Sequence, residues 1–154
     1  MRFRFKGLNE YTRKLERLAN VWVMEDAIKE ALKAGADVVA DETRSALNGI
    51  PVDNRRFVPD KRTGILQVQK DGLMNSFGVT PSQKKGNMID MKTGVNKGTN
   101  KIGQPNVTIA RRLESGTSYM KKYPVFSRAT RSARDGCLKA MEQSLNESIE
   151  KIMR

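Results

Sequence analysis

The chain contains no histidine, one cysteine and few aromatic residues. Without histidine, Ser-His-Asp triads, histidine general bases and histidine metal sites are excluded. The single cysteine, Cys137, excludes an internal disulfide and fits a reducing compartment. It lies on the apolar side of the last predicted helix, so we interpret it as a small core residue. No run of about 18 apolar residues occurs, and we therefore expect no membrane-spanning segment.

Motifs of catalytic chemistry are also missing. The sequence has no CxxC, HExxH or glycine-rich phosphate loop, since the Gly-Val-Asn-Lys-Gly run at 94–98 lacks the GK[ST] ending. Most acidic residues alternate with bases on predicted helix surfaces. Glu114, between Leu113 and a glycine turn, is the exception, and we expect its carboxylate to pair with an arginine within or between subunits. We predict no catalytic residue, no metal and no cofactor, and hence no enzyme.

The N-terminal residues Met1 to Lys6 are basic, but no apolar segment follows them, so we expect no signal peptide. Their alternation of Arg or Lys with Phe predicts a short strand.

Positive charge is concentrated in the middle of the chain. Residues 51–124 carry 14 Lys and Arg against 5 Asp and Glu, net +9, out of a total of +12. Residues 1–50 and 125–154 are close to balance, at 9 against 8 and 6 against 4. This excess indicates an acidic partner or assembly against acidic surfaces.

A length of 154 residues suits a single domain, 1–154, which begins with a helical part over 8–47. Apolar spacing predicts a first helix over 9–20, and a second over 25–47 after a break at 20–23. Gly35, between Ala34 and Ala36, indicates either a bend in the second helix or another element packed closely against it, and the neighbouring alanines favour close packing. The Asn-Gly-Ile-Pro run at 48–51 ends that helix.

The middle, 51–124, is predicted to hold a small sheet and a basic loop. Short strand-like runs occur at 65–68, 77–79, 88–91 and 107–109, the last of which could equally begin a short helix through Leu113. Between 80 and 104 the pattern indicates a long hairpin or an exposed loop, decorated by five lysines: Lys84, Lys85, Lys92, Lys97 and Lys101. The segment is either solvated and flexible or an arm that orders against a neighbouring subunit.

The last helix has the clearest pattern. Apolar residues recur at spacings of three and four over 126–153 and form one stripe: Phe126, Ala129, Ala133, Cys137, Met141, Leu145, Ile149 and Ile152. We therefore predict an α+β fold, in which N-terminal helices and a long C-terminal helix pack on a small, mainly antiparallel sheet with a long basic hairpin or loop.

A predicted turn and a proline precede this helix. Ser-Gly-Thr-Ser at 115–118 is turn chemistry, because glycine reaches positive φ freely and hydroxyls bond nearby backbone groups. Pro124 excludes Tyr123 from helical geometry, so the last helix begins after it. The residues allow a plain loop before a helix.

The same stretch resembles a known family. Leu-Glu-Ser-Gly-Thr at 113–117, followed by Pro-Val-Phe-Ser-Arg-Ala at 124–129, resembles the Glu-x-Gly-Thr and Pro-Phe-Leu-x-Pro-Ala signature of tailed-phage neck, or tail-completion, proteins of lambdoid-type phages and prophages. Phe-Lys-Gly-Leu at 5–8 resembles the family's opening Gly-Leu. Asp-Gly-Leu-Met-Asn-Ser at 71–76 resembles its Thr-Gly-x-Leu-x-x-Ser element, for which Thr-Gly-Ile-Leu at 63–66 competes.

The resemblance implies a structural virion protein at the neck, assembled in the bacterial host cytoplasm. It implies a hexamer-like ring of copies of the chain that contacts tail terminator or tail-tube proteins and the head connector, with DNA only in passage and no membrane. The expected fold-setting or interface positions are Leu73, Leu113, Glu114, Gly116, Thr117, Pro124 and Phe126. The basic loop, Lys84, Lys85, Lys92, Lys97 and Lys101, is expected to be an interface.

The alternative is a sequence-nonspecific nucleic-acid-binding protein. Phosphate contacts need only Lys and Arg, and the middle segment supplies them. Few aromatics are interleaved with that segment, the candidates being Phe57, Tyr119 and Tyr123, and no RNA-binding motif, zinc finger or helix-turn-helix spacing occurs.

Overall fold

The computed structural model describes residues 13, 16, 21–55, 61–86 and 88–154. Arg13 and Glu16 are helical and exposed, in line with the predicted first helix. The remainder of that helix, the strand pattern at 2–6, the Gly-Leu pair at 7–8 and Phe57 lie outside the described residues.

The described chain has an α+β fold, as predicted. The helices with described bounds are α1 (Val21–Asn48), α2 (Gln67–Ser76), α3 (Asn106–Ser115) and α4 (Val125–Met153). The strands are β1 (Phe77–Val79), β2 (Gln83–Lys85), β3 (Met88–Asp90) and β4 (Thr93–Val95). They form two small antiparallel sheets, β1 with β4 and β2 with β3.

The two long helices pack side by side in opposite directions. Near one end of the pair, Ser148 of α4 donates its hydroxyl to the Glu30 carboxylate of α1 at 3.1 Å. Midway along, a Cβ at Gly35 would lie 2.5 Å from Cγ of Met141 and 2.9 Å from Sγ of Cys137. Gly35 therefore leaves the space that the α4 side chains occupy, which confirms the close packing predicted there.

One long hairpin joins α2 to the segment before α3. Phe77 lies opposite Val95 and Val79 opposite Thr93, while further out Lys85 lies opposite Met88. Between the two paired regions, residues 80–82 face only residues 91 and 92, so the hairpin bulges around Pro81. Proline has no N–H to donate to a ladder and suits this position. Of the two structures predicted for 80–104, the hairpin is correct as far as Val95, and an exposed loop follows it before α3.

The core gathers at one end of the long helices. Its buried apolar residues come from the end of α1, the segment after it, α2, α3 and the first turn of α4: Leu47, Ile50, Ile65, Leu73, Ile109, Ala110, Leu113 and Val125. Leu47, Leu73 and Leu113 are completely buried. The short helices α2 and α3 are thus held by burial against α1 and α4, because isolated ten-residue helices are marginal in water.

Short extended segments cross this core. Val52 pairs with Ile65 and Arg62 pairs with Met120, each in a parallel bridge. A Cβ at Gly64 would lie 2.1 Å from the Pro51 carbonyl oxygen, so no side chain fits there without movement of the backbone. The segment before α2 is thereby tied both to the chain that follows α1 and to the segment that follows α3.

One strand prediction was wrong. The strand predicted at 65–68 is a lone bridge at Ile65 followed by α2, whose first N–H groups are capped because Gln69 accepts the Leu66 N–H at 3.1 Å and Asn54 accepts the Gln67 N–H at 3.0 Å. The segment at 107–109 lies in α3, so the predicted alternative of a short helix is correct. Strands β2 and β4 were not predicted as separate strands. The chain is already helical at Val21, ahead of the expected residue 25, and the break expected at 20–23 is absent from 21 onward.

Candidate functional site

The two halves of the motif, 113–117 and 124–129, meet where α3 ends and α4 begins. Leu113 is buried in the last turn of α3, and Gly116 ends the helix with φ +75° and ψ 171°, a backbone conformation that is open essentially to glycine alone. The Gly116 N–H donates to the Arg112 carbonyl at 2.8 Å. A Cβ at Gly116 would also crowd Lys122, at 3.1 to 3.3 Å. Glycine is therefore required at this turn for two separate reasons.

Thr117 closes the turn. Its backbone N–H donates to the Met120 carbonyl at 3.0 Å, and its hydroxyl accepts the N–H groups of Tyr119 and Met120 at 3.2 and 3.0 Å. The Tyr123 N–H then returns to the Leu113 carbonyl at 2.8 Å. The turn chemistry predicted at 115–118 is thus present, with the threonine hydroxyl as its main side-chain acceptor.

Glu114 caps α4. Its carboxylate accepts the backbone N–H of Phe126 at 3.2 Å and that of Ser127 at 3.1 Å, and it also accepts the Ser127 hydroxyl. Pro124, which precedes α4, has no side-chain acceptor for these N–H groups. A carboxylate satisfies them and interacts favourably with the positive end of the helix dipole. The expected pairing of Glu114 with an arginine within the chain is wrong for the described residues, which form no such ion pair.

Phe126 and Leu73 connect this joint to the rest of the fold. The Phe126 ring is half-buried and packs on Phe77 of β1, with ring centroids 6.1 Å apart and planes at 31°. Leu73 is fully buried in the core shared by α2 and α3. All seven residues expected to set the fold or an interface therefore lie in the core, in the last turn of α3, in the turn that follows it or at the start of α4.

The five lysines of the basic loop differ in their surroundings. Lys84 forms an ion pair with Glu25 of α1, which ties the outer part of the hairpin to that helix. Lys92 lies 4.0 Å from the Asp90 carboxylate. Lys85, Lys97 and Lys101 are exposed and have no ion-pair partner among the residues that the structure describes. Within the described residues, these three side chains are therefore the lysines of the basic loop whose charge is not paired with a carboxylate.

Sequence reasoning missed an arginine cluster around Asp53. The buried Asp53 carboxylate accepts two hydrogen bonds from the Arg55 guanidinium, at 2.8 and 2.7 Å, and one from the Arg55 N–H at 3.2 Å. These bonds hold the pKa of Asp53 well below its usual range against the opposing effect of burial, and the charges of Arg55 and Arg62 add to the shift. The Asp53 carboxylate in turn raises the pKa of Arg55. The Asp-x-Arg spacing was the available signal.

No helix within the described ranges is long and apolar enough to cross a membrane. The described side chains also contain no group of three or more Cys, Asp or Glu residues arranged to hold a metal ion. The chemistry visible at the motif and on the hairpin is hydrogen bonding and charge, which suits binding.

Comparison of this chain with protein-family models, with curated proteins and with solved structures gave no match.

Proposed function

We propose that this chain is a structural subunit of a tailed-phage virion, a neck or tail-completion protein that forms a ring at the head-tail junction and joins the tail to the connector. The observation that carries the proposal is the contact between the two motif halves. Glu114 of the first half caps the helix that Pro124 and Phe126 of the second half begin. The two halves of the signature, which are separated along the chain, thus act as one structural unit, and this supports interpreting them as a single motif.

The working surface in this proposal is the hairpin together with the loop at 96–104 that follows it. Lys85, Lys97 and Lys101 present positive charge on a body fixed by the α1–α4 pair, and they face acidic surfaces of neighbouring copies, of a tail terminator or tail-tube protein, or of the connector. Each contact is weak, because a single exposed ion pair contributes about 0–1 kcal/mol. A closed ring repeats the contact between every pair of neighbours, so that many weak contacts act together. The protein belongs in the virion after assembly in the host cytoplasm, and DNA only passes through the ring.

Light scattering across a concentration series, with and without a tail-tube protein encoded nearby, tests the proposal. We expect the mass of a ring, either alone or on addition of the partner. A variant with Lys85, Lys97 and Lys101 all changed to Gln should weaken the ring. The matched control changes Arg134, Lys139 and Lys151 of α4 to Gln, which removes the same charge from exposed positions away from the hairpin. A single-chain mass under every condition would overturn the proposal.

A sequence-nonspecific nucleic-acid-binding protein is the second candidate, favoured by the same three lysines. Phosphate contacts of this kind release counterions, so the affinity for DNA would fall steeply with salt. Binding of duplex DNA at moderate salt would support this function if the variant with Lys85, Lys97 and Lys101 changed to Gln loses it and the α4 control retains it. If binding is lost equally in both variants, it reflects net charge alone and argues against a DNA site.

A further inference from the structure

A cleft of about 520 Å³ opens beside the motif turn, between the start of α2, helix α3 and residues 117–120. Leu66 and Met120, both half-buried, contribute apolar surface to it, and the buried core residue Ile109 lies at its base. Gln69 and Gln104 also line it and are joined by a hydrogen bond of 2.7 Å between their side-chain amides. The cleft is thus large enough for one or two side chains of a partner and has an apolar part bordered by polar groups.

The wall formed by 117–120 is fixed by backbone pairing. The Arg62 N–H donates to the Tyr119 carbonyl at 2.8 Å, and the Lys121 N–H donates to the Arg62 carbonyl at 3.1 Å. The Arg62 guanidinium is held by the carbonyls of Asp53 and Arg55, at 3.0 and 2.8 Å. A partner that enters this cleft meets walls that are already ordered, which reduces the entropy cost of binding.

The residues that line the cleft carry positive charge only. Arg62 and Arg112 both contribute, and no Asp or Glu does. Arg112 is exposed and forms no ion pair within the described part of the chain, so its guanidinium is available to a ligand. Tyr119 stands at the rim with 81% of its surface exposed. Tyrosine and arginine are the residue types most often responsible for binding energy at protein interfaces.

We propose that this cleft docks an acidic protein segment that places one large apolar side chain on Leu66 and Met120 and a carboxylate on Arg112. The apolar surface excludes water from the anchor, and the guanidinium selects the negative charge beside it. A nucleic acid fits less well, because base stacking needs aromatic faces and Tyr119 is the only aromatic residue of the lining. The inference concerns a partner other than a copy of this chain and holds whether or not the chain forms a ring.

The test uses the full chain labelled with nitrogen-15 and a short peptide of aspartates and glutamates around one leucine. We expect shifts of backbone amide signals to cluster at 66–69, 109–112 and 117–120. Arg112→Gln should weaken binding roughly two- to fivefold, the effect of one partly exposed ion pair. Tyr119→Ala should weaken it roughly fivefold or more. Arg111→Gln is the matched control, because Arg111 is the exposed neighbour on the same helix and does not line the cleft.

Two further probes distinguish the ligand classes. A peptide in which serine replaces the leucine should bind less tightly, and a lysine-rich peptide should not bind in the cleft. Equal losses in Arg111→Gln and Arg112→Gln would overturn the proposal, since they would report net charge alone. The proposal would also be overturned if the acidic peptide shifted only the signals of Lys85, Lys97 and Lys101. The same holds if a single-stranded oligonucleotide shifted the cleft signals and the acidic peptide did not.

Discussion

The Glu114 carboxylate accepts the backbone N–H of Ser127 at 3.1 Å, and through this bond the last turn of α3 caps the first turn of α4. The capping group is separated from the helix by a turn and an extended segment, so the cap exists only when 116–124 has folded back. The bond from the Tyr123 N–H to the Leu113 carbonyl fixes that return. The joint therefore couples the start of the 29-residue helix α4 to the end of the ten-residue helix α3.

Loss of this cap should destabilise the fold. Glu114→Ala leaves the first N–H groups of α4 without a protein acceptor, and we expect the free energy of unfolding to fall by about 1 kcal/mol, within the usual range of a lost helix cap. Glu114→Gln keeps an oxygen acceptor without the charge and should cost less. Urea unfolding of both variants, with Glu142→Ala on the exposed face of α4 as the control, measures this. A loss no larger than that of the control would show that the cap does not contribute.

Gly116 should tolerate no side chain. Its φ of +75° with ψ of 171° is strained for any other residue, and a Cβ would crowd the Lys122 backbone. We expect Gly116→Ala to lower the free energy of unfolding by about 1–3 kcal/mol. Gly98→Ala is the control, because a Cβ there would meet only the Asn106 amide at 3.8 Å. Equal thermal unfolding midpoints for the two variants would contradict the argument.

The features that could be predicted from the sequence depend on local periodicity. The stripe of α4 repeats over its whole length, and Gly35 stands out among alanines, so both the helix and its close packing followed from spacing alone. The strand predicted at 65–68 failed for a different reason. The start of α2 is capped by two side chains outside 65–68, since Gln69 accepts the Leu66 N–H at 3.1 Å and Asn54 accepts the Gln67 N–H at 3.0 Å.

The candidate site shows the same division. The turn at 115–118 was predictable because Gly116 and Thr117 act on their immediate neighbours. The role of Glu114 was not, since the N–H groups it accepts lie 12 and 13 residues further along the chain. Strand β4 was missed for a related reason. The short Thr-Gly-Val run has no pattern of its own and becomes a strand only by pairing with β1.

Two glycines at the contact between α1 and α4 should respond to substitution in opposite ways, one with a gain and the other with a loss in the free energy of unfolding. A Cβ at Gly136 would meet Val38 at an ordinary 3.4 Å, so Gly136→Ala should stabilise the protein by up to about 1 kcal/mol through helix propensity. Gly35→Leu forces a side chain into the space of Met141 and Cys137, and should destabilise by about 1–3 kcal/mol. Urea unfolding measures both free energies. Adding Met141→Ala to Gly35→Leu should recover part of the loss, and a double variant no better than the single one would contradict the packing.

Asp53 should make stability depend on acid pH. The Arg55 guanidinium holds the pKa of the folded Asp53 carboxyl below its ordinary value of 3.8, so the folded state favours the ionised form more than the unfolded state does. This contribution is fully present above the ordinary value and is lost as pH falls below it towards the folded pKa. We expect Asp53→Asn to be less stable than the original chain at neutral pH, with the difference shrinking as pH falls below 3.8.

Thermal unfolding midpoints measured from neutral pH downward follow this difference directly. Asp41→Asn is the matched control, because Asp41 pairs with Arg44 on the exposed surface of α1, where an ion pair contributes little. The gap between Asp53→Asn and the original chain should narrow with acid, while the gap for Asp41→Asn stays small throughout. A gap for Asp53→Asn that is constant with pH would mean that hydrogen-bond geometry, and not charge, accounts for the contribution of Asp53. A gap that widens with acid would reverse the direction assigned to its pKa.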